Sequence, residues 1–295
     1  MTFCGVVGRG ALSLAPLLGR SLARSLARSL ALSLALVLAA AGAGVAHAQD
    51  FAPAAPAGPQ PGAAALLERG LPAVARATSL ESAATRWLGL GELATRSAAL
   101  GVAPGSVRIA AGLSQTGDPE LGWTSAALAV GAAGPEGGAA LRVVGRRDRS
   151  EGALASGHLD RGAGYEAGAG AWFAAGTALT LWASAPQLWC AGQSPPLSRP
   201  LELGGRWALP GAAAWLALVA PRSGDDGERA AGLEMGSAAL AVWAEARDGP
   251  LRGSLGLRGN AGALAVEARI DAHPVLGETT RLALAWRGRP AEAAR

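Results

Sequence analysis

Lysine is absent from this chain, and all 26 cationic side chains are arginine. With 43 glycines and abundant alanine, this reflects a GC-biased coding sequence. Aromatic residues other than tryptophan are scarce: one tyrosine and three phenylalanines stand beside nine tryptophans. The three histidines, His47, His158 and His273, lie far apart, so no histidine metal cluster can be assembled from them. Of the two cysteines, Cys4 falls in the N-terminal segment read below as a signal. Cys190 is then alone, which excludes an intramolecular disulfide. Past residue 48 no apolar run approaches the roughly 20 residues of a spanning helix. A chain of this kind can cross a membrane only with strands.

The amino terminus carries an export pattern. Arg20, Arg24 and Arg28 precede an apolar run from Leu30 to Val45, followed by Ala46-His47-Ala48 and then Gln49-Asp50. The run is short, ends in small residues and meets an Ala-x-Ala site, so it reads as a secretory signal cleaved after Ala48 and not as a retained helix. The residue after the cut is Gln49, which excludes a lipid-anchored cysteine there. Arg9, Arg20, Arg24 and Arg28 leave with residues 1–48 and no acid does, so 22 arginines face 22 acidic residues in the remainder. A nucleic-acid partner needs a concentrated cationic face to displace counterions, and a balanced chain offers none.

Residues 49–63, with Pro53, Pro56, Pro59 and Pro61 among Ala and Gly, read as a leader too poor in large apolar groups to pack. In residues 64–104, Leu66, Leu67, Leu71 and Val74 have helical spacing, while Ala83 to Ala98 fits either a second helix or two early strands. From Ser106 onward, segments of about ten residues recur between turn residues such as Gly117-Asp118-Pro119, Pro210-Gly211, Asp248-Gly249-Pro250 and Asn260-Ala261-Gly262. Within them apolar residues alternate with charge or glycine. Leu264, Val266, Ala268 and Ile270 oppose Ala265, Glu267, Arg269 and Asp271. Leu141 and Val143 oppose Arg142, and Leu233 and Met235 oppose Glu234. A charge on the lipid face of a membrane strand costs about 2–4 kcal/mol at the midplane, so the charged face must point inward or to water. Both signs occur on it, which favours Arg–Glu pairing between neighbouring strands.

The pattern predicts an all-β fold: an antiparallel up-and-down transmembrane β-barrel of about 12 strands (range about 10 to 14), with a short N-terminal helical or irregular segment. Its expected span is 105–289, followed by a tail at 290–295. About twelve strands fall after residue 105, and the early residues add two if they are strands. Trp123, Trp172, Trp182, Trp189, Trp207, Trp215, Trp243 and Trp286 fit two roles equally, as interfacial girdles at strand ends or as packing in strand centres.

Three regions resemble the FadL-like and PorV-type family of outer-membrane barrels. The closing run His273-Pro274-Val275-Leu276-Gly277-Glu278-Thr279-Thr280-Arg281-Leu282-Ala283-Leu284 is similar to the family's last turn, where a Gly-acid-Thr-x-Arg run opens the final strand. Leu233-Glu234, Ala239 to Ala246 and Leu251 to Leu257 resemble its preceding hairpins. Leu181 to Trp189 and Pro195-Pro196-Leu197-Ser198-Arg199-Pro200-Leu201-Glu202-Leu203-Gly204 resemble its strand, proline-rich loop and next strand. The likeness covers residues 105–288. It implies an outer-membrane location and a transport or secretion-accessory role, with membrane lipid, a hydrophobic small molecule or an exported protein as partner. Members of the family enter the barrel through an Asn-Pro-Ala turn, which Ala75 to Leu100 lacks.

Chemistry is sparse. Ser156, His158 and Asp160 read as a polar turn, and Asp225-Asp226-Gly227-Glu228 as a solvated one. Gly162-Ala163-Gly164 and Gly168 read as a strand with small residues on a crowded face, with no βα pattern for a dinucleotide. Cys190 reads as a free thiol in a proline-flanked loop. No catalytic, cofactor or metal residue is expected, and the chain is not read as an enzyme. The residues expected to line the lumen as ion pairs are Arg206, Glu234, Glu267 and Arg269. The alternative reading is a soluble periplasmic or surface all-β module, because a soluble sheet also alternates. The signal itself is testable: N-terminal sequencing of the exported protein should begin Gln49-Asp50-Phe51, and an uncut terminus would remove it.

Overall fold

The computed structural model describes residues 58–74, 77–90, 94–117, 121–150, 163–192, 201–220, 227–248, 251–273, 275 and 277–288. The signal at 1–48, most of the leader, the turn at Ser156–Asp160 and the tail at 290–295 lie outside these residues. One helix, α1 (Ala63–Arg69), precedes fourteen strands. They are β1 (Ser79–Arg86), β2 (Ala94–Val102), β3 (Val107–Gly117), β4 (Leu121–Gly134), β5 (Gly137–Ser150), β6 (Ala163–Ala175) and β7 (Leu179–Gly192). The second half comprises β8 (Leu201–Leu209), β9 (Ala212–Ala220), β10 (Glu228–Gly236), β11 (Leu240–Arg247), β12 (Arg252–Ala261), β13 (Leu264–His273) and β14 (Gly277–Arg287). Each strand pairs antiparallel with its sequence neighbours, and β1 pairs with β14 to close the barrel. Closure leaves no edge, so the ladder can satisfy the backbone without solvent.

The count is fourteen and not about twelve, the upper end of the expected range. Twelve strands follow residue 105, and β1 and β2 come from the early segment, so the wall begins at Ser79 and not at residue 105. Their alternation is faint because the inward residues are small: Ser79, Thr85, Thr95 and Ala99 are buried, opposite outward Leu80, Leu100 and Val102. The helical spacing expected from Leu66 to Val74 stops early. Gly70 takes a left-handed turn at φ 64° and returns its N–H to the Leu66 carbonyl at 2.9 Å, which leaves Leu71 and Val74 outside α1.

The two ends of the barrel differ. On the end that holds the start of β1 and the end of β14, the connections are short, as at 135–136, 210–211 and 262–263. The other end carries the longer ones, as at 151–162 and 193–200. Even strand number with short turns at one end and long loops at the other is the arrangement of single-chain outer-membrane barrels.

Outward positions are apolar along the strands: Leu113, Leu141 and Leu255 are 63%, 64% and 66% exposed. The tryptophans divide by direction. Trp189, Trp207 and Trp286, with Tyr165 and Phe173, face outward near strand ends. Phe173, Trp207 and Trp286 lie at the short-turn end, and Tyr165 and Trp189 at the long-loop end. Trp172, Trp182, Trp215 and Trp243 instead face inward and are buried.

Each of these four buried tryptophans is register-paired with a glycine on a neighbouring strand: Trp172 with Gly138, Trp182 with Gly204, Trp215 with Gly232 and Trp243 with Gly256, whereas Trp123, at a partly buried inward position of β4, pairs with Thr116. The indoles lie flat over the bare backbone, and a Cβ at Gly204, Gly232 or Gly256 would overlap the ring above it. Aromatic cover of a sheet glycine restores the packing the glycine lacks and pins the register.

Gly256→Ala should therefore lower barrel stability by about 1–3 kcal/mol, the ordinary cost of overpacking. Gly253→Ala on the same strand, where an added Cβ meets nothing within 4 Å, should be near neutral. Urea midpoints of the two variants in detergent check this, and equal midpoints would remove the packing argument.

Candidate functional site

The lumen wall falls into three sectors. On β2–β5 it is small and apolar, with Ala99, Ala110, Ala127, Ala129 and Ala140 buried together with Leu66 and Leu67 of α1. Four buried tryptophans stand on β6, β7, β9 and β11, clustered with Leu71. Ionic residues dominate from β8 round to β14.

Residues 58–74 occupy the lumen against the first two sectors. Leu67 and Leu71 are 0% exposed. Glu81, inward on β1, accepts hydrogen bonds from the backbone amides of Ala63 at 2.5 Å and Ala64 at 3.2 Å. A wall carboxylate thus satisfies two free N–H groups of α1 at the positive end of its dipole. Gly62 lies against that carboxylate, where a Cβ would overlap it. Beyond the helix, Gly70 sits on Gly170 of β6 so closely that a Cβ on either would meet the other's backbone.

The rest of the segment is held by its carbonyls. Arg142 donates to the Glu68 carbonyl at 2.7 Å, Ser184 to that of Arg69 at 2.6 Å, and the Trp172 indole to that of Pro72 at 2.6 Å. Arg108 donates to the Ala73 and Val74 carbonyls at 2.9 and 2.7 Å. Hydrogen bonds from charged donors contribute about 1.5–3 kcal/mol each, so loss of one tether should not release the segment. The Arg69 side chain lies within the fields of Glu202 and Glu245, which attract it, and of Arg247 and Arg269, which repel it.

The four residues expected in the lumen all stand at inward strand positions, in three groups. Arg206 on β8 meets Glu234 on β10 at 2.9 Å, and Arg258 on β12 holds the other Glu234 oxygen at 2.9 Å. Arg206 also lies over the Trp215 ring. Glu267 on β13 meets Arg287 on β14 at 3.4 Å. Glu267 and Arg269 do not pair with each other. Arg269 joins a separate network toward the long-loop end, contacting Asp271 at 2.6 Å and Glu245 at 3.7 Å. Arg247 bridges Glu245 and Glu228, and Arg252 completes the set on Glu228 at 2.6 Å.

Two readings need correction here. Glu228 is not part of a solvated turn: it opens β10 at 1% exposure, drawn in by Arg247 and Arg252. Cys190 lies in β7 and not in a loop, register-paired with Glu166 of β6 and half-buried. Gly162 lies outside the described residues, while Ala163 to Gly168 form the first part of β6, a strand of small residues as expected, and Gly170 shows what crowds it. No group of three or more His, Cys, Asp or Glu side chains able to hold a metal occurs among the described residues.

Glu81, Arg108, Arg142, Ser184 and Trp172 were not legible as tethers. Each stands at an inward strand position, but their partners are backbone carbonyls and amides of a distant segment.

No family model matches this chain, and no curated protein does. Among solved structures, engineered variants of the porin from Rhodopseudomonas blastica align with it. Three of them have TM-scores of 0.38, 0.39 and 0.40 at 8%, 9% and 8% identity. Each alignment covers 72% of this chain and 98% of the porin.

The ion-pair geometry makes a directional prediction. Glu234→Ala leaves Arg206 and Arg258 facing each other without their acid and should destabilise the barrel by about 2 kcal/mol, below the usual cost of breaking a fully buried pair because Arg206 keeps some solvent contact. Adding Arg206→Ala should recover part of that loss. A double-mutant cycle read by urea unfolding checks it, and strict additivity would mean that the two residues do not interact.

Proposed function

We propose that the protein is an outer-membrane β-barrel with a transport role, its lumen closed by its own residues 58–74. The observation that carries this reading is the closed fourteen-strand sheet with an apolar outward face and polar groups turned inward. A soluble module would bury that stripe beneath a second layer, whereas here leucines such as Leu113, Leu141 and Leu255 lie bare on successive parts of the wall. A lipid environment supplies the missing layer.

The occupied lumen argues for selective passage and against free diffusion of large solutes. Within that role, the finer reading is the one implied by the resemblance to FadL-like barrels, passage of a hydrophobic compound. The inward indoles and Leu71 supply an apolar lining that such a compound could meet. Arg206, Glu234, Glu267 and Arg269 are assigned to the lumen wall, where they fix the interior and perform no chemistry. Solute would pass beside or after movement of residues 58–74.

The mature chain should migrate faster on gels before boiling than after it and should resist carbonate extraction from outer membranes. Release by carbonate with unchanged mobility would discard the membrane barrel in favour of a periplasmic module. In liposome swelling, the wild type should admit solutes slowly and Arg108→Ala/Arg142→Ala faster, because two tethers of the lumen segment are then gone. Equal swelling rates would mean that the segment does not limit passage.

A further inference from the structure

Charge on the outward face is confined to one end. Among the described side chains, the charged residues at outward strand positions are Arg86, Arg96, Arg147, Arg229 and Glu278, all toward the long-loop end. The opposite rim ends on apolar residues such as Leu80, Val102 and Leu264.

Two of these arginines belong to one polar row, and a third stands beside it. Arg96 on β2 is the register partner of Gln115 on β3, Gln115 of Thr124 on β4, and Thr124 of Arg147 on β5. All four positions face outward. On β1 the register partner of Arg96 is Ala84, and Arg86, two positions further toward the long-loop end, is diagonal to Arg96 and has Thr280 of β14 as its other neighbour. Arg86, Arg96 and Arg147 are exposed and make no ion pair among the described residues. Arg229 differs, because Asp248 lies 3.5 Å from it.

Height matters as much as charge. From Val107 at the short-turn rim to Gln115 the strand rises roughly 20 Å at the usual rise and tilt of a membrane strand, close to the thickness of an outward apolar band. Gln115 therefore stands where an apolar layer gives way to headgroups, and because a register row climbs about 3 Å per strand at such a tilt, Arg96 lies slightly below it and Arg147 slightly above. A guanidinium matches the oxygens of a phosphate with two parallel hydrogen bonds. Arginines that merely reach water would need neither a shared register nor hydroxyl and amide groups between them.

We infer that this row on β2–β5, with Arg86 beside it on β1, docks phosphate groups of lipids in the leaflet facing the long loops. The inference rests on the membrane reading above. Among the described side chains Glu278 is the one outward acid near the row, two positions before Thr280, and limits the site on that side.

The test uses the full mature chain inserted into phosphatidylcholine vesicles that contain a bisphosphorylated glycolipid, the same glycolipid without its phosphates, or neither. Bound lipid is counted by native mass spectrometry, and the temperature at which gel mobility changes is recorded. The phosphorylated glycolipid should be retained and should raise that temperature. R86Q/R96Q/R147Q should weaken retention on the order of a hundred-fold, about five-fold for each arginine near a charged headgroup layer. R229Q should retain the lipid. If the triple variant does not insert, R96Q alone is read, with about a five-fold loss expected.

Equal retention by wild type and variant, or equal retention of the dephosphorylated glycolipid, would overturn the inference while leaving the barrel in its membrane. Protection by inorganic phosphate in plain vesicles would mark a soluble-anion site and overturn the lipid assignment. Failure of the wild type to insert into any vesicle would overturn the membrane reading, and this inference with it.

Discussion

Closing fourteen strands into a barrel creates a lumen wider than wall side chains alone can fill, since about eight strands are the number at which they just do so. The rest of the structure follows from that surplus. Part of the space is taken by residues 58–74 and part by four indoles, and the wall beneath each is adapted to its occupant. Where α1 lies, the wall is alanine, because a helix needs room for its backbone. Where indoles lie, the neighbouring strand is glycine at the paired position. Where neither reaches, arginine and glutamate from β8 round to β14 span the gap with long side chains.

The lumen segment is held mainly by wall donors on its carbonyls and one wall acid on its helix amides. That division is economical in sequence terms. Residues 58–74 need only be small and turn-forming enough to fit, as Gly62 and Gly70 do, while specificity resides in Glu81, Arg108, Arg142 and Ser184 on four different strands. An assembly of this kind cannot form before the strands are in register, because each anchor is correctly placed only by its neighbours in the ladder.

Alternation in β3, β5 and β10–β14 was visible in the sequence because large apolar residues oppose charges there, and it carried both the class and the inward direction of Arg206, Glu234, Glu267 and Arg269. Alternation in β1 and β2 was faint, since alanine, serine and threonine fill both faces. The helix was legible only in part: Leu66 and Leu67 have its spacing, but Leu71 shares that spacing for a different reason, burial of an extended segment, and Val74 is exposed. Pro59 and Pro61 marked a leader, and the same poverty of large side chains that suggested an unpacked chain is what lets Gly58 fit against the Trp182 ring.

The sequence by itself determined that strands of this period, bounded by these turns, carry one apolar and one charged face, because a period of two leaves each residue only one side to occupy; closure of the barrel decided that the apolar face is the outward one. Tertiary structure alone decided which residues meet. Pairing of Glu234 with both Arg206 and Arg258, and not with a sequence neighbour, depends on strand register and the curvature that brings β8, β10 and β12 onto one inner surface. The row from Arg96 to Arg147 exists only because four strands are held in one register. Placement of residues 58–74 inside the barrel was likewise decided there, since the atoms that hold that segment are backbone carbonyls and amides, which every residue carries and no sequence pattern distinguishes.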